Sequence, residues 1–358
     1  MNAQTPANGV QHEVPIRQAF TDFIRDMESQ MAYATVMNKK NVCRQFTEWV
    51  EDLEDCTLAT LSGYHLGQFS AYLRDDKDLK DITRKQYLCE VRTFLTWCEN
   101  KEIARTGISD RIELPQLTKD DIRSDAKIKP DRVRSVLAYL DKYRHARKEH
   151  VWIHLLFKTG ARMSAIRHLD LRHVHLDRGR PYLELTHRPE KGMPLKNGNK
   201  DAKNAERPIL ISEDTATLLR EYIQHNRHNV TETIEKEDGQ TVELNPLLTT
   251  RYGRWSHSST QDVVYQWTCP AATGGECEVH GTEIPSRDDA HDCRKYEGHS
   301  VSPHKLRAAS IVHHRNRGIS VETVSEKMNV SIPVIKTHYD KPSTSDRLDR
   351  QAGIIDKL

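Results

Sequence analysis

The sequence predicts a mainly α-helical protein of two domains, with a small β-sheet confined to the second. Three observations lead there. The 358 residues exceed what one hydrophobic core usually organises. Apolar residues recur at spacings of three and four, as in Leu88, Val91, Leu95 and Cys98. Alternating or continuous apolar runs of strand length lie between Tyr182 and Ile211.

Residues 1–14 show no period and read as a flexible tail. Residues 15–103 read as a helical domain, with Thr83 the N-cap of the helix that carries the Leu88 stripe. Arg84, Lys85 and Arg92 lie off that stripe. Such charges are ordinarily a solvated face; in a DNA-binding domain they would form a phosphate-contacting face. Residues 104–128 read as a linker, with Gly107 and Pro115 among scattered charges.

The second domain is expected over residues 129–345. Helices are predicted over residues 133–143, over 150–158 with a stop at Gly160, and over 164–171. Strands over 182–186 and 208–211 flank a Lys-rich excursion containing Lys196, Lys200 and Lys203. Ser212 caps a helix reaching His225, and Ser302-Pro303 opens another that ends at Gly318. Ser320 and Ser331 open two short helices, the last holding Tyr339. Residues 346–358 form a C-terminal tail with Ile354, Ile355 and Leu358 apolar.

Composition narrows the function little. Lys and Arg number 54 against 52 Asp and Glu, a net charge of +2 that neither demands nor excludes a nucleic-acid partner. No apolar run approaches a membrane span and the N-terminus lacks an apolar signal core, so a cytoplasmic protein without a membrane partner is expected. Seven Cys, an odd number, argue against a disulfide framework; clustered thiols point to metal.

Four islands of the second domain carry chemistry. In Thr159-Gly160-Ala161-Arg162, Gly160 ends one helix and Arg162 stands near the start of the next, beside backbone N–H groups that favour an anion. The Lys-rich excursion by itself is an ordinary exposed hairpin. His304-Lys305-Leu306-Arg307 puts a proton-transfer group and a bidentate phosphate-gripping group on one helical face. Tyr339 follows; a phenol there is usually a packing residue, and it is a poor nucleophile unless its surroundings accept the proton.

In this order the islands resemble the catalytic domain of the tyrosine recombinases, the phage integrases and their relatives, over residues 129–345. The preceding helical segment resembles that family's core-binding domain. The resemblance implies that Arg162 and Arg307 hold the non-bridging oxygens of a scissile phosphate in double-stranded DNA. Tyr339 would attack in line, leaving a 3′-phosphotyrosyl bond and a free 5′-hydroxyl. His304 would manage the tyrosine proton, and Lys196, or alternatively Lys203, would protonate the leaving oxygen. No cofactor enters this chemistry. The family commonly has a Gly-His pair about nine residues before the tyrosine; here the residues are Met328-Asn329, and Asn329 is assigned the place as a hydrogen-bond donor. The acid often found three residues after the first arginine is Ala165. The implied task is site-specific recombination for a mobile element, by protomers that are monomers off DNA and form a tetrameric synapse on it, coupled through the C-terminal tail. A DNA-binding protein of the same fold without cleavage, a type IB topoisomerase-like enzyme and a zinc-dependent module are the alternatives.

Between Trp267 and His304 lies a segment spaced C-x7-C-x2-H-x12-C: Cys269, Cys277, His280 and Cys293. Rich in Gly, Asp and Glu, it lacks the apolar residues to order itself, and a structural zinc would supply that order; the alternative is an acidic loop with incidental thiols. His291 competes with His280 as the fourth ligand. Cys43, Cys56, Cys89 and Cys98 fall on helical patterns and read as core residues.

Overall fold

The computed structural model describes residues 12–31, 33–54, 56–118, 128–177, 179–188, 195, 205–235, 239–296, 299–339, 348 and 351. The chain divides into two compact units, Met1–Ser124 and Asp125–Leu358.

The first unit is built from helices α1 (Ile16–Glu28), α2 (Tyr33–Glu51), α3 (Gly63–Asp75) and α4 (Asp81–Asn100). Leu88, Val91, Leu95 and Cys98 all enter its core, as their spacing predicts. Phe23, Phe46, Phe69 and Phe94 are fully buried there, with the Phe46–Phe69 centroids 5.0 Å apart and the Phe23–Phe94 centroids 5.2 Å apart. Helix α4 begins at Asp81, not at Thr83: Lys80 is its N-cap, and Asp81 complements the positive end of the helix dipole. Residues 104–112 were expected in a linker, yet Ala104, Ile108 and Ile112 are buried in the same core, next to Ile103. The Glu99 carboxylate accepts hydrogen bonds from the Gly107 and Ser109 N–H groups, at 3.0 and 2.6 Å, and folds this stretch back. Of the four cysteines read as core, Cys43 and Cys98 are buried, Cys56 is half-buried and Cys89 is exposed.

The second unit opens with α5 (Pro130–Tyr143), whose proline occupies the first turn, where its missing N–H costs nothing. Helix α6 (Lys148–Thr159) is buried around most of its circumference, through Val151, Trp152, Ile153, Leu155, Leu156 and Phe157. Helix α7 (Met163–Arg167) is shorter than predicted, because Asp170 caps a separate 3-10 turn at Leu171–His173. Strands β1 (Val174–His175), β2 (Tyr182–Leu185) and β3 (Arg207–Leu210) form an antiparallel sheet in that order, with Leu185 opposite Arg207. Helix α8 (Glu213–Glu221) is capped by Ser212, as read from the sequence.

The hairpin of β4 (Glu232–Glu235) and β5 (Thr241–Leu244), the two-residue strands β6 (Thr249–Thr250) and β7 (Gly253–Arg254), and helix α9 (His257–Thr268) were not foreseen. Helices α10 (Pro303–Asn316), α11 (Val321–Met328) and α12 (Ile332–Val334) follow, and α12 runs on into a wider turn, Ile335–Tyr339. Leu306 and Ala309 place α10 in the main core with α6. A smaller core of Ile311, Val324, Met328 and Ile335 joins α10, α11 and the last turn, and Tyr339 packs at its edge. The tail expected over 346–358 lies outside the described residues except for Leu348 and Gln351.

Candidate active site

Gly160 ends α6 in the left-handed region (φ 61°), where a Cβ is strained. There is no room for one either: a Cβ would sit 2.5 Å from Met328 Sδ and 2.9 Å from Ser310 Oγ. The Thr159 hydroxyl fixes the exit, donating to the Leu155 carbonyl and accepting from Ala161 N–H at 3.1 Å. Arg162 then stands as the N-cap of α7, half-buried.

Arg307, on α10, is only 4% exposed. Its Nη1 donates to the Gly160 carbonyl at 2.7 Å and its Nη2 to the Asn329 carbonyl at 3.3 Å. Arg162 Nη2 donates to the same Asn329 carbonyl, also at 3.3 Å. Arg162 and Arg307, 145 positions apart in the chain, thus converge on one backbone oxygen. One turn before Arg307, exposed His304 places Nε2 3.2 Å from the Tyr339 hydroxyl. Four of the expected catalytic side chains therefore surround one spot.

Asn329 was expected to act through its side chain. What the structure shows is its backbone: Asn329 is the C-cap of α11 in the left-handed region (φ 48°, ψ 64°), and its carbonyl accepts from both arginines. Asn tolerates that conformation better than most residues. Ala165 is buried and offers no support to Arg162, so this carbonyl takes over the positioning. Lys196, Lys200 and Lys203 lie outside the described residues.

Arg207, at the start of β3, was not singled out by the sequence. Its Nε donates to the Lys327 carbonyl at 2.9 Å and its Nη1 to the Ala205 carbonyl at 3.0 Å. Burial, with Arg162 nearby, pulls the Arg207 guanidinium down to about 10. Burial, with Arg162 and Arg207 nearby, also pulls Arg307 down to about 10, and burial lowers Arg162. A Tyr339 phenolate acts in the opposite direction on Arg162 and Arg307. Among the described residues none of the three arginines pairs with a carboxylate. A cluster of half-desolvated guanidiniums without an acid is a site built for an external anion. The signal was available: Arg207 is in phase with Ile209, the buried residue of β3.

The candidate DNA face of the first unit looks different. Arg84 pairs with Asp81 at 3.0 Å with 12% of its side chain exposed, and Arg92 donates to the Ile112 carbonyl. The folded-back residues 103–112 engage this side of α4, so Arg92 braces the helical unit; Lys85 is half-buried.

Cys269, Cys277, His280 and Cys293 come together, with their donor atoms all within 4.8 Å of one another. His280 Nδ1 lies 3.4 Å from Cys277 Sγ and 3.7 Å from Cys269 Sγ. His291 is drawn elsewhere, to the Asp262 carboxylate at 2.7 Å and against the Tyr265 ring, and His280 is the histidine that lies beside the three thiols. Burial opposes ionisation of the Cys277 thiol, but hydrogen bonds from the His280 and Val279 backbone outweigh it and bring the thiol down to about 7. A second grouping, Asp141, His145 and His150, reads as an ion-pair network, since the two ring nitrogens of His145 already contact Asp141 and Glu221.

No family model matches the sequence, and no curated protein matches it. Solved structures do resemble it. An integrase of the Tn1549 transposon, in complex with a circular intermediate DNA, superposes with a TM-score of 0.64 at 13% identity, covering 97% of this chain and 100% of that one. The XerH site-specific recombinase bound to palindromic difH substrate gives 0.61 at 14% identity, covering 97% and 98%. A lambda integrase dimer bound to a COC′ core site gives 0.59 at 11% identity, covering 95% and 78%. At such identities the likeness speaks to architecture alone: the chain has the tyrosine-recombinase fold.

Proposed function

We propose that the protein is a site-specific DNA recombinase that cuts and rejoins double-stranded DNA through a covalent bond from Tyr339 to phosphate, in the service of a mobile element. The observation that carries the reading is the convergence of Arg162, Arg307, His304 and Tyr339 on one spot, where neither arginine pairs with a carboxylate among the described residues. Here the Asn329 carbonyl holds the two arginines in register, and a phosphate placed before them would receive two planar donor forks. These donors would stabilise the extra negative charge of the pentacoordinate transition state. His304 Nε2, already within reach of the phenol, accepts its proton as the Tyr339 oxygen bonds to phosphorus. The bond to the 5′-oxygen breaks, and that oxygen takes a proton from a lysine of the hairpin, Lys196 or Lys203. The phosphotyrosyl linkage keeps the bond energy, so rejoining is the same sequence in reverse.

The Cys269–Cys277–His280–Cys293 group takes a structural zinc in this reading, outside the chemistry, since four protein ligands leave no open position. Four protomers on two duplexes are needed to exchange four strands, with the tail over 346–358 as the coupling element. Among the described residues no helix is long and apolar enough to cross a membrane.

Incubation with a nicked suicide substrate tests the reading: the parent is expected to form a protein–DNA adduct on a denaturing gel and Tyr339→Phe none. An adduct formed by Tyr339→Phe refutes it. Asn329 in place of the family histidine favours a second reading, a DNA-binding protein of this fold that does not cleave. A parent that binds DNA but is never trapped would establish that one.

A further inference from the structure

We infer that zinc held by Cys269, Cys277, His280 and Cys293 is the brace that sets the start of α10, so that metal occupancy controls the alignment of His304 and Arg307. The inference rests on the structural-zinc reading and extends it to the catalytic helix.

Two separations of the cluster match a tetrahedral site, and all its donor atoms lie within 4.8 Å of one another. With Zn–S near 2.3 Å and Zn–N near 2.05 Å, tetrahedral ligands place sulfur and nitrogen about 3.5 Å apart. The two sulfur–nitrogen separations at His280, 3.4 and 3.7 Å, bracket that value. His280 is also oriented as a ligand. Its Nε2 lies 3.1 Å from the Asp289 carbonyl, which only accepts, so Nε2 carries the hydrogen and the Nδ1 lone pair faces the sulfurs. The turn that presents Cys277 and His280 is closed by paired backbone hydrogen bonds between Cys277 and Gly281, both 2.7 Å. The local core of this segment is Cys269, Ala271, Cys277 and Cys293, so the candidate ligands are themselves most of its buried apolar matter. A metal would supply the packing it lacks, beside polar ties such as Gln266 Nε2 to the Pro285 carbonyl and His291 to Asp262.

The segment connects directly to the catalytic helix. Cys269 follows the last residue of α9, and Arg132 of α5 donates to its carbonyl at 3.2 Å. Cys293 Sγ lies 2.9 Å from Ser300 Oγ, whose single hydrogen is given to the Tyr265 carbonyl of α9 at 2.8 Å. With zinc bound the sulfur is a thiolate that only accepts, and the hydroxyl would turn its hydrogen to it. Next in the chain, Val301 N–H donates to Thr268 Oγ1 at 3.0 Å. Two residues later Pro303 begins α10, with His304 and Arg307 in its first turns. Ser300 and Val301 are 2% and 3% exposed, so these contacts are sheltered from water. One ligand thus ends α9, and another holds, through Ser300, the residues that launch α10. When zinc leaves, this double attachment loosens at the point where a displacement of about 1 Å costs on the order of a hundredfold in rate.

The test uses full-length protein in three measurements: zinc content, amide hydrogen exchange, and adduct formation with nicked DNA. The parent should carry about one zinc per chain. Chelation should strip protection from residues 299–308 while the amides of α6 and β2 stay protected, and should lower the adduct rate about a hundredfold. Readdition of zinc should restore both. Ser300→Ala should keep its zinc yet lose about tenfold in adduct rate, because the link and not the ligand set is removed. Zinc-free parent protein overturns the inference and leaves the Tyr339 reading standing if the adduct still forms. Stoichiometric zinc with unchanged exchange in 299–308 on chelation also overturns it. If no protein form yields an adduct, the recombinase reading fails, and the exchange data alone still decide the brace.

Discussion

Replacing Gly160 by Ala tests how the site is held together. Two costs add. At φ 61° a side chain is strained by about 1–2 kcal/mol. The new Cβ would also lie 2.5 and 2.6 Å from Met328 Sδ and Cε, and Met328 is fully buried, so it has no solvent to move into. Overpacking of this kind costs about 1–3 kcal/mol. The sum, about 2–5 kcal/mol, corresponds to a fall of roughly 4–20 °C in the melting temperature of a domain this size. Gly318→Ala is the control: its φ is 75°, but nothing lies within 4 Å of the added carbon, so only the backbone cost of about 1–2 kcal/mol applies. Activity should fall too, because displacing Met328 moves Asn329, whose carbonyl aligns Arg162 and Arg307. Calorimetry on the two full-length variants, alongside the adduct assay, decides the matter. If Gly160→Ala melts within about 2 °C of Gly318→Ala, less than the shift 1 kcal/mol produces, the close packing of α6 on α11 is not what fixes the site.

Other outcomes follow from the same geometry. Arg307→Lys should keep DNA affinity in a gel-shift assay but lose about a hundredfold to a thousandfold in adduct rate, since an ammonium cannot bridge the Gly160 and Asn329 carbonyls as the fork does; parental cleavage by this variant would contradict the clamp. Arg207→Met should blunt the stabilisation of the DNA-free protein by added sulfate, read as the shift in melting temperature, because it removes one of three clustered cations that pair with no carboxylate among the described residues; an unchanged sulfate response would remove Arg207 from the anion site. Stability should fall as pH drops from about 7 to 5. Burial holds His150, His173, His313 and His314 down to about 4, and His154 and His168 to about 3. The unfolded chain takes up these protons near 6.5 while the native state refuses them, so each histidine withdraws up to about 2 kcal/mol by pH 5. A melting temperature flat across that window would show that these histidines are not buried neutral.

Most of the fold was legible where the local signal and the tertiary demand agree. The α4 stripe, Gly160 as a helix stop, the Ser212 cap and the Ser302-Pro303 start are each fixed within a few residues of sequence. What escaped has weak local preference and is ordered by distant partners. Ala104, Ile108 and Ile112 recur every four residues, but Gly107 and the charges between them break the pattern, and it is the fold-back onto α4 and the Glu99 carboxylate that makes them and Ile103 core. The β4–β5 hairpin is polar on one face, and its Glu232 serves to bind Arg254 at 3.0 Å, 22 positions away in sequence. Helix α9 starts in a Ser- and Thr-rich stretch of low helix propensity, and burial of Val263, Val264 and Trp267 overrides it.

The site divides along the same line. Residue types suited to chemistry can be read from order and spacing, so Arg162, His304, Arg307 and Tyr339 could be named as candidates, and the structure brings them together. The groups that position them act through backbone atoms, which carry no residue signature. The Asn329 carbonyl is the clearest case. The amide side chain suggested a donor; what spacing did not reveal is that α11 ends at Asn329 in the left-handed region, and that turn aims its carbonyl at both guanidiniums. An acceptor so placed does two things at once. It satisfies one donor on each arginine while the site is empty, and it fixes the directions in which the remaining donors point. A carboxylate at that position would bind the arginines more tightly but would neutralise the charge meant for phosphate. A neutral carbonyl holds the geometry and leaves the cationic field intact, which is why the missing acid at Ala165 is consistent with a site made to receive an anion.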